Sequence, residues 1–165
     1  MSSFPELNVR TYVTIDGKPG IHFLSLDAGS RLAVAAARRA YRLPYFRAQM
    51  SVRPSPERVL YKSERVSRDG PSAAFEGEYG PSDGDLPGGE GIARWLAERY
   101  CLYVIDDAGT VLRADIHHPP WPLEAAWANI RQNTMETPFG LELTGQPLLH
   151  FAGRQDTLIW APRPA

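Results

Sequence analysis

The sequence predicts an α+β fold: a largely antiparallel sheet accompanied by two short helices. Three observations carry that expectation. Short segments alternate apolar and polar side chains with period two, turn-forming residues separate them, and two stretches read as short helices. A chain of 165 residues suits one domain spanning 1–165, able to bury roughly 70% of its unfolded surface.

The alternation opens at Leu7 to Ile15. Period two sets Leu7, Val9, Val13 and Ile15 on one face and Glu6, Asn8, Arg10 and Tyr12 on the other. Asp16 to Gly20 supplies turn chemistry, and Ile21 to Leu26 reads as the returning strand. Ser30 or Asp27 is placed to cap a helix over Arg31 to Arg42, a run rich in Ala and Arg. Pro44 ends it by pushing its predecessor toward extended geometry. Tyr45 to Arg53 alternates again, and strands are expected at Arg58–Val66 and Ala73–Tyr79. Gly80 to Gly89 is a loop by its breakers, and Glu90 to Glu98 a second helix with Ile92, Trp95 and Leu96 on its buried stripe. Arg99–Ile105 and Thr110–His118 form a hairpin about Asp106 to Gly109. Leu123 to Gln132 has a helix-like composition but strand neighbours, and strand is the expectation. Leu148–Ala152 and Thr157–Trp160 complete the sheet.

Hydrophobic residues at 43% against 22% charged make a globular rather than a disordered balance. A net charge of −1 provides no positive field for nucleic acid or an anionic membrane, so neither is an expected partner. Cys101 is the only cysteine and cannot form an intrachain disulfide, which favours a reducing compartment. Met1 to Glu6 lacks the basic start and apolar core of a signal peptide, and no apolar stretch approaches the roughly 20 residues of a membrane span. A cytoplasmic location is expected.

Several side chains invite a chemical reading beside a bland one. Glu6, Asn8, Arg10 and Tyr12 either form a solvated sheet face or line a pocket. In the pocket arrangement Glu6 serves as acid/base and Arg10 holds a carboxylate bidentately. Glu98, Arg99 and Tyr100 sit at a helix-to-strand junction, where they cap and pair or else point into a pocket mouth. His117 and His118 are strand neighbours facing opposite sides, so they cannot share a metal, and no helical His-x-x-x-His spacing exists. No metal is expected, whereas one histidine of the pair facing a pocket is. Trp121, stiffened between Pro120 and Pro122, plugs a core or stacks on a ligand. Cys101 reads as a small buried residue, and Gly88 to Gly91 as loop rather than nucleotide cradle.

The stretch Phe4 to Phe46 resembles the central part of acetoacetate decarboxylase without a gap, through Phe4-Pro5-Glu6, Asp16-Gly17-Lys18-Pro19-Gly20, Ala33 to Arg38 and Leu43-Pro44-Tyr45-Phe46. The phrases Trp95 to Tyr103, Ile116 to Leu123 and Leu148 to Phe151, with the Glu6 to Val13 opening, resemble the YqjF-like family of uncharacterised bacterial proteins. The resemblance implies an acetoacetate decarboxylase-like fold, a partly closed barrel. It aligns Glu6 with a pocket carboxylate, Tyr45 with the Schiff-base lysine, and Phe46 with the neighbouring lysine that lowers the nucleophile's pKa. A phenol forms no iminium, and the only lysines, Lys18 and Lys62, fall in a hairpin turn and on a polar strand face. Decarboxylation by the family's route is therefore not expected. Relatives carry strands ahead of the aromatic-Pro-Glu phrase, so the chain is expected to lack them and to cover the exposed edge by forming a homodimer.

Together these readings predict a small-molecule-binding protein whose ligand is a carboxylate, such as a small oxo-acid. Glu6 and His118 are the candidate catalytic groups, and Arg10, Tyr45, His117, Arg99 and Trp121 the candidate binding groups, with no cofactor. The contrasting expectation is a binding or structural module without turnover that works as a homodimer.

Overall fold

The computed structural model describes residues 4–165. In chain order the strands and helices are β1 (Glu6–Ile15), β2 (Lys18–Ala28), α1 (Arg31–Tyr41), β3 (Tyr45–Pro54), β4 (Val59–Arg65), β5 (Ala74–Pro81) and α2 (Gly89–Ala97). β6 (Cys101–Ile105), β7 (Val111–His117), β8 (Leu123–Asn133), β9 (His150–Ala152), β10 (Leu158–Ile159) and β11 (Arg163–Pro164) follow. One 3-10 turn lies at Thr137–Phe139.

The first hairpin turns on two residues, not five. Asp16 and Gly17 have φ of 50° and 76°, the pair of positive values a tight hairpin demands, so Lys18, Pro19 and Gly20 already belong to β2. Ser30, rather than Asp27, caps α1 by accepting from the Ala33 amide. Leu123–Asn133 is strand, its neighbours β5 and β9 supplying the ladder on both sides.

β2 is the hub of the sheet. It pairs with β1 along its whole length, while on the opposite side Ile21 pairs parallel with Leu102 of β6 and Leu26 to Ala28 pair parallel with Tyr45 to Arg47 of β3. Every other pairing is antiparallel, giving the order β10-β7-β6-β2-β3-β4-β5-β8-β9. The sheet is therefore largely antiparallel but forked at β2. β10 and β9 end the order without pairing with each other. At the fork a Cβ on Gly20 would lie 2.7 Å from the Tyr103 ring and 2.8 Å from the Cys101 sulfur, so only glycine lets β2 approach β6.

The apolar core gathers Ile21 and Leu26 of β2, Leu102 and Val104 of β6, Ala114 and Ile116 of β7, and Leu43 after α1. Helix α2 differs from expectation. Ile92 and Trp95 are 47% and 54% exposed, and Ala93 is its buried residue. This short helix lies against the sheet through a small-residue face, which permits close approach but leaves its bulky apolar residues at the rim.

A buried ion pair crosses the fork. Arg65 at the end of β4 donates Nε and Nη2 to the Asp27 carboxylate at 2.7–3.1 Å, and Nη1 to the Pro71 carbonyl at 3.2 Å. Their side chains are 1% and 0% exposed, and the Phe46 ring lies 4.1 Å from the guanidinium. Removing one partner strands the other's charge in the interior, at a cost of about 3–5 kcal/mol. Arg65→Met and Asp27→Leu are each expected to lose that much in urea denaturation, and the two combined much less. Additive losses in the double variant would refute the coupling.

Candidate functional site

A cavity of about 790 Å³ opens where β1, α2 and the β8–β9 hairpin face one another. The alternation of β1 presents Asn8, Arg10 and Tyr12 to it, despite a bulge between Val9 and Arg10. Ala93, Leu96 and Ala97 of α2 form one wall. Trp121, between Pro120 and Pro122, and Phe151 of β9 supply aromatic surface, while Tyr79 and His150 add polar groups.

Arg10 is the charge in this space. Its Nη2 reaches the Leu96 carbonyl only at 3.5 Å, and its guanidinium lies 5.7 Å from the Tyr12 ring centre. No carboxylate pairs with it among the described residues. Behind the cavity wall, Arg99 stacks 4.2 Å from Trp95 and 5.3 Å from Tyr12, a cation enclosed by aromatic faces. It is 7% exposed, its Nη1 donates to the Glu98 carbonyl, and its Nε and Nη2 have no hydrogen-bond partner among the described residues.

The adjacent histidines separate as their strand geometry requires. His117 is exposed on β7, whereas His118 is 5% exposed, stacked on Tyr100 and edge-on to Trp121. His118 lies behind the Trp121 wall rather than in the cavity. Its Nδ1 and Nε2 face the carbonyls of Pro119 and Arg99 at 2.8 and 3.2 Å, and a neutral ring, with a single N–H, donates to one of the two. Glu98 accepts from the Trp121 amide at 3.0 Å and from the Tyr100 hydroxyl, which pins the Pro-Trp-Pro turn to the end of α2.

Glu6 and Tyr45 are brought together, but beside the cavity rather than in it. Pro44 delivers β3 alongside β2, and Tyr45 donates its hydroxyl to Glu6 Oε2 at 2.5 Å. Tyr61 donates to the Glu6 backbone carbonyl at 2.7 Å. Although Glu6 is exposed overall, crowding at its carboxyl raises that group's pKa. Burial is the main cause, opposed by hydrogen bonds from Tyr45 and from Asn8, which itself lines the cavity. The Tyr45 phenol is pushed well above its ordinary value, first by burial and then by the Glu6 charge and the bond to it. Tyr61 moves the same way through burial and the neighbouring Tyr79, Glu6 and Asp27.

Neither lysine joins this group. Lys18 pairs with Asp115 at 2.8 Å and Lys62 with Glu76 at 3.1 Å, both on the outside of the sheet. Thus Arg10 and Trp121 line the cavity, Glu6 and Tyr45 adjoin it through Asn8, Arg99 and His118 lie behind its walls, and His117 lies away from it. Tyr79, His150 and Phe151 were absent from the sequence-based candidates. The period-two row Phe75, Gly77, Tyr79 carried a faint signal for the first, and the other two were marked only by the family-like phrase Leu148 to Phe151.

The model of the DUF2071 family, described as an uncharacterized conserved protein, matches residues 1–156, and the chain belongs to that family. It is 44% identical over 163 residues to the uncharacterized protein YqjF of Bacillus subtilis strain 168, covering 98% of this chain and 66% of the relative. The chain thus spans about two thirds of that relative's length. In fold it is similar to acetoacetate decarboxylase from Legionella pneumophila, with a TM-score of 0.60 and 11% identity over 98% of this chain and 66% of that one. The architecture is an acetoacetate decarboxylase-like fold.

The Glu6 shift has a thermodynamic sign. A carboxyl that binds its proton more tightly when folded loses stability as pH rises from the ordinary 4.5 through the raised value. Glu6→Gln keeps an acceptor for Tyr45 and cannot ionise. Its stability relative to the parent is expected to improve from acid pH to neutrality in urea titrations, and a flat difference would refute the shift.

Proposed function

We propose that this member of the DUF2071 family binds a small carboxylate, such as an oxo-acid, in the cavity beside β1, without forming an imine. The observation that supports this reading is Arg10: a guanidinium without a carboxylate partner among the described residues, inside a recess walled by alanine, leucine and aromatic side chains. Arg10 is itself exposed where it lines the cavity, and its fork is matched by a carboxylate whose two oxygens accept in parallel. Trp121 and Phe151 then pack the ligand's carbon skeleton, and Tyr79 and His150 offer it hydrogen bonds. Tyr45 and Phe46 stand where the resembling decarboxylases carry lysines, so covalent capture of a ketone is not part of the reading. Proton exchange with a bound oxo-acid falls to Glu6, whose raised carboxyl reaches the cavity through Asn8.

The curl of the sheet around this space is read as a partly closed barrel, and the cytoplasm as the protein's location. No helix among the described residues is long and apolar enough to cross a membrane. A second reading, binding without turnover in a homodimer, is favoured by one observation. Among the described residues β1 pairs with β2 alone, and a groove runs beside it in which Leu7, Val9, Leu141 and Leu143 are joined by the polar Asn8, Arg10 and Glu136.

A thermal-shift series with acetate, pyruvate and acetoacetate tests the binding reading. Ligand at about 100 times Kd stabilises by about 2.7 kcal/mol, and for a domain of this size that raises Tm by roughly 5–10 °C. Arg10→Gln is expected to abolish the shift and Arg154→Gln to retain it. Equal shifts in parent and Arg10→Gln would sink the assignment.

A further inference from the structure

Helix α1 and β3 border an open groove of about 620 Å³ lined by Arg31, Arg38, Arg39 and Arg47, with Val34, Ala35 and Ser67. We propose that this groove is a second site that binds a compact polyphosphate anion, separate from the carboxylate cavity.

The protein carries a net charge of −1, and most of its arginines have carboxylate partners, among them Arg42, Arg58, Arg65, Arg113, Arg131 and Arg163. Of the seven arginines without a carboxylate partner among the described residues, Arg31, Arg39 and Arg47 lie in the groove, and Arg10, Arg53, Arg68 and Arg99 lie elsewhere. Arg38 bonds Asp69 and the Tyr45 carbonyl, each at 2.5 Å. Arg31, Arg39 and Arg47 have no such partner among the described residues, and Arg47 Nε is buried without a hydrogen bond. The spacing is enforced by the fold. Arg31, Ala35, Arg38 and Arg39 recur on one face of α1 at three- and four-residue intervals, and parallel pairing of β2 with β3 sets Arg47 across from them. Val34 and Ala35 are small enough to leave the groove open between the guanidiniums.

Three unpaired guanidiniums around one depression repel one another, and an anion with several oxygens relieves that repulsion. Phosphoryl groups fit best because each presents paired oxygens to an arginine fork, and a linked row of them spans several forks. Two features argue against nucleic acid. The net negative charge opposes a long polyanion outside the groove, and no aromatic side chain lines it to stack a base. Arg38 also ties the groove to the backbone of Tyr45, whose hydroxyl holds Glu6, so an occupied groove stiffens the strand entering the candidate site.

The test is calorimetric titration of the full chain with tripolyphosphate, inorganic phosphate and heparin at matched ionic strength near 0.15 M, where bulk screening is strong. The proposal expects saturable one-to-one binding of tripolyphosphate, at least tenfold tighter than phosphate. In Arg31→Gln/Arg39→Gln, a pair of exposed positions chosen to leave the fold intact, that affinity should fall at least tenfold. Arg10→Gln should leave it within twofold, which separates this site from the carboxylate cavity. Absence of saturable tripolyphosphate binding, unchanged affinity in the double variant, or binding of heparin alone would each overturn it.

Discussion

The buried pair of Asp27 and Arg65 is the constraint on which this architecture rests. β2 must serve two branches of the sheet, β6–β7 at its beginning and β3–β4–β5 at its end, and nothing in period-two alternation holds two branches together. A carboxylate on β2 that takes a forked guanidinium from β4 spans the intervening β3 and fixes the angle of the second branch. Charges this deep are costly unless matched. Here the match is completed by the Pro71 carbonyl and the face of Phe46.

That pair also gives a physical account of the residue at position 46. The resemblance to acetoacetate decarboxylase sets a lysine there, but in this chain the Arg65 guanidinium lies 4.1 Å from the Phe46 ring centre. A second cation in that place would face the arginine directly, whereas an aromatic ring attracts it. Next to it Tyr45 turns its hydroxyl to Glu6, a hydrogen bond between an acid and a phenol that both favour their neutral forms. The substitution of both lysines is thus compatible with the packing around them. Positive charge near the candidate site resides instead on Arg10 and, behind the wall, on Arg99.

Much of the framework was legible in the residues. Asp16 to Gly20 marked the chain reversal, though only Asp16 and Gly17 make it, and Pro44 with Ser30, one of two candidate caps, brackets α1 because a cap and a breaker act locally. What escaped depends on contacts distant in sequence. Arg65 lies on a strand whose neighbours Lys62 and Glu64 look solvated, so its pairing with Asp27, 38 residues away, left no local trace. Ile92 and Trp95 have the helical spacing of a buried stripe, yet a helix touching the sheet through Ala93 leaves them outside. The cavity was only half foreseen. The polar row of β1 was visible as a period, but His150 and Phe151 reach it through the β8–β9 hairpin, whose register no composition reveals.

The central claim is that a guanidinium, and no amine, meets the ligand in the cavity. Its most direct test follows the arginine side-chain N–H resonances by NMR during titration with acetoacetate, followed by borohydride reduction and intact-mass measurement. The account predicts a saturable shift of the Arg10 resonance, identified by its loss in Arg10→Gln, with no gain in mass. A reduced adduct on Lys18 or Lys62, with the Arg10 resonance unmoved, would contradict it.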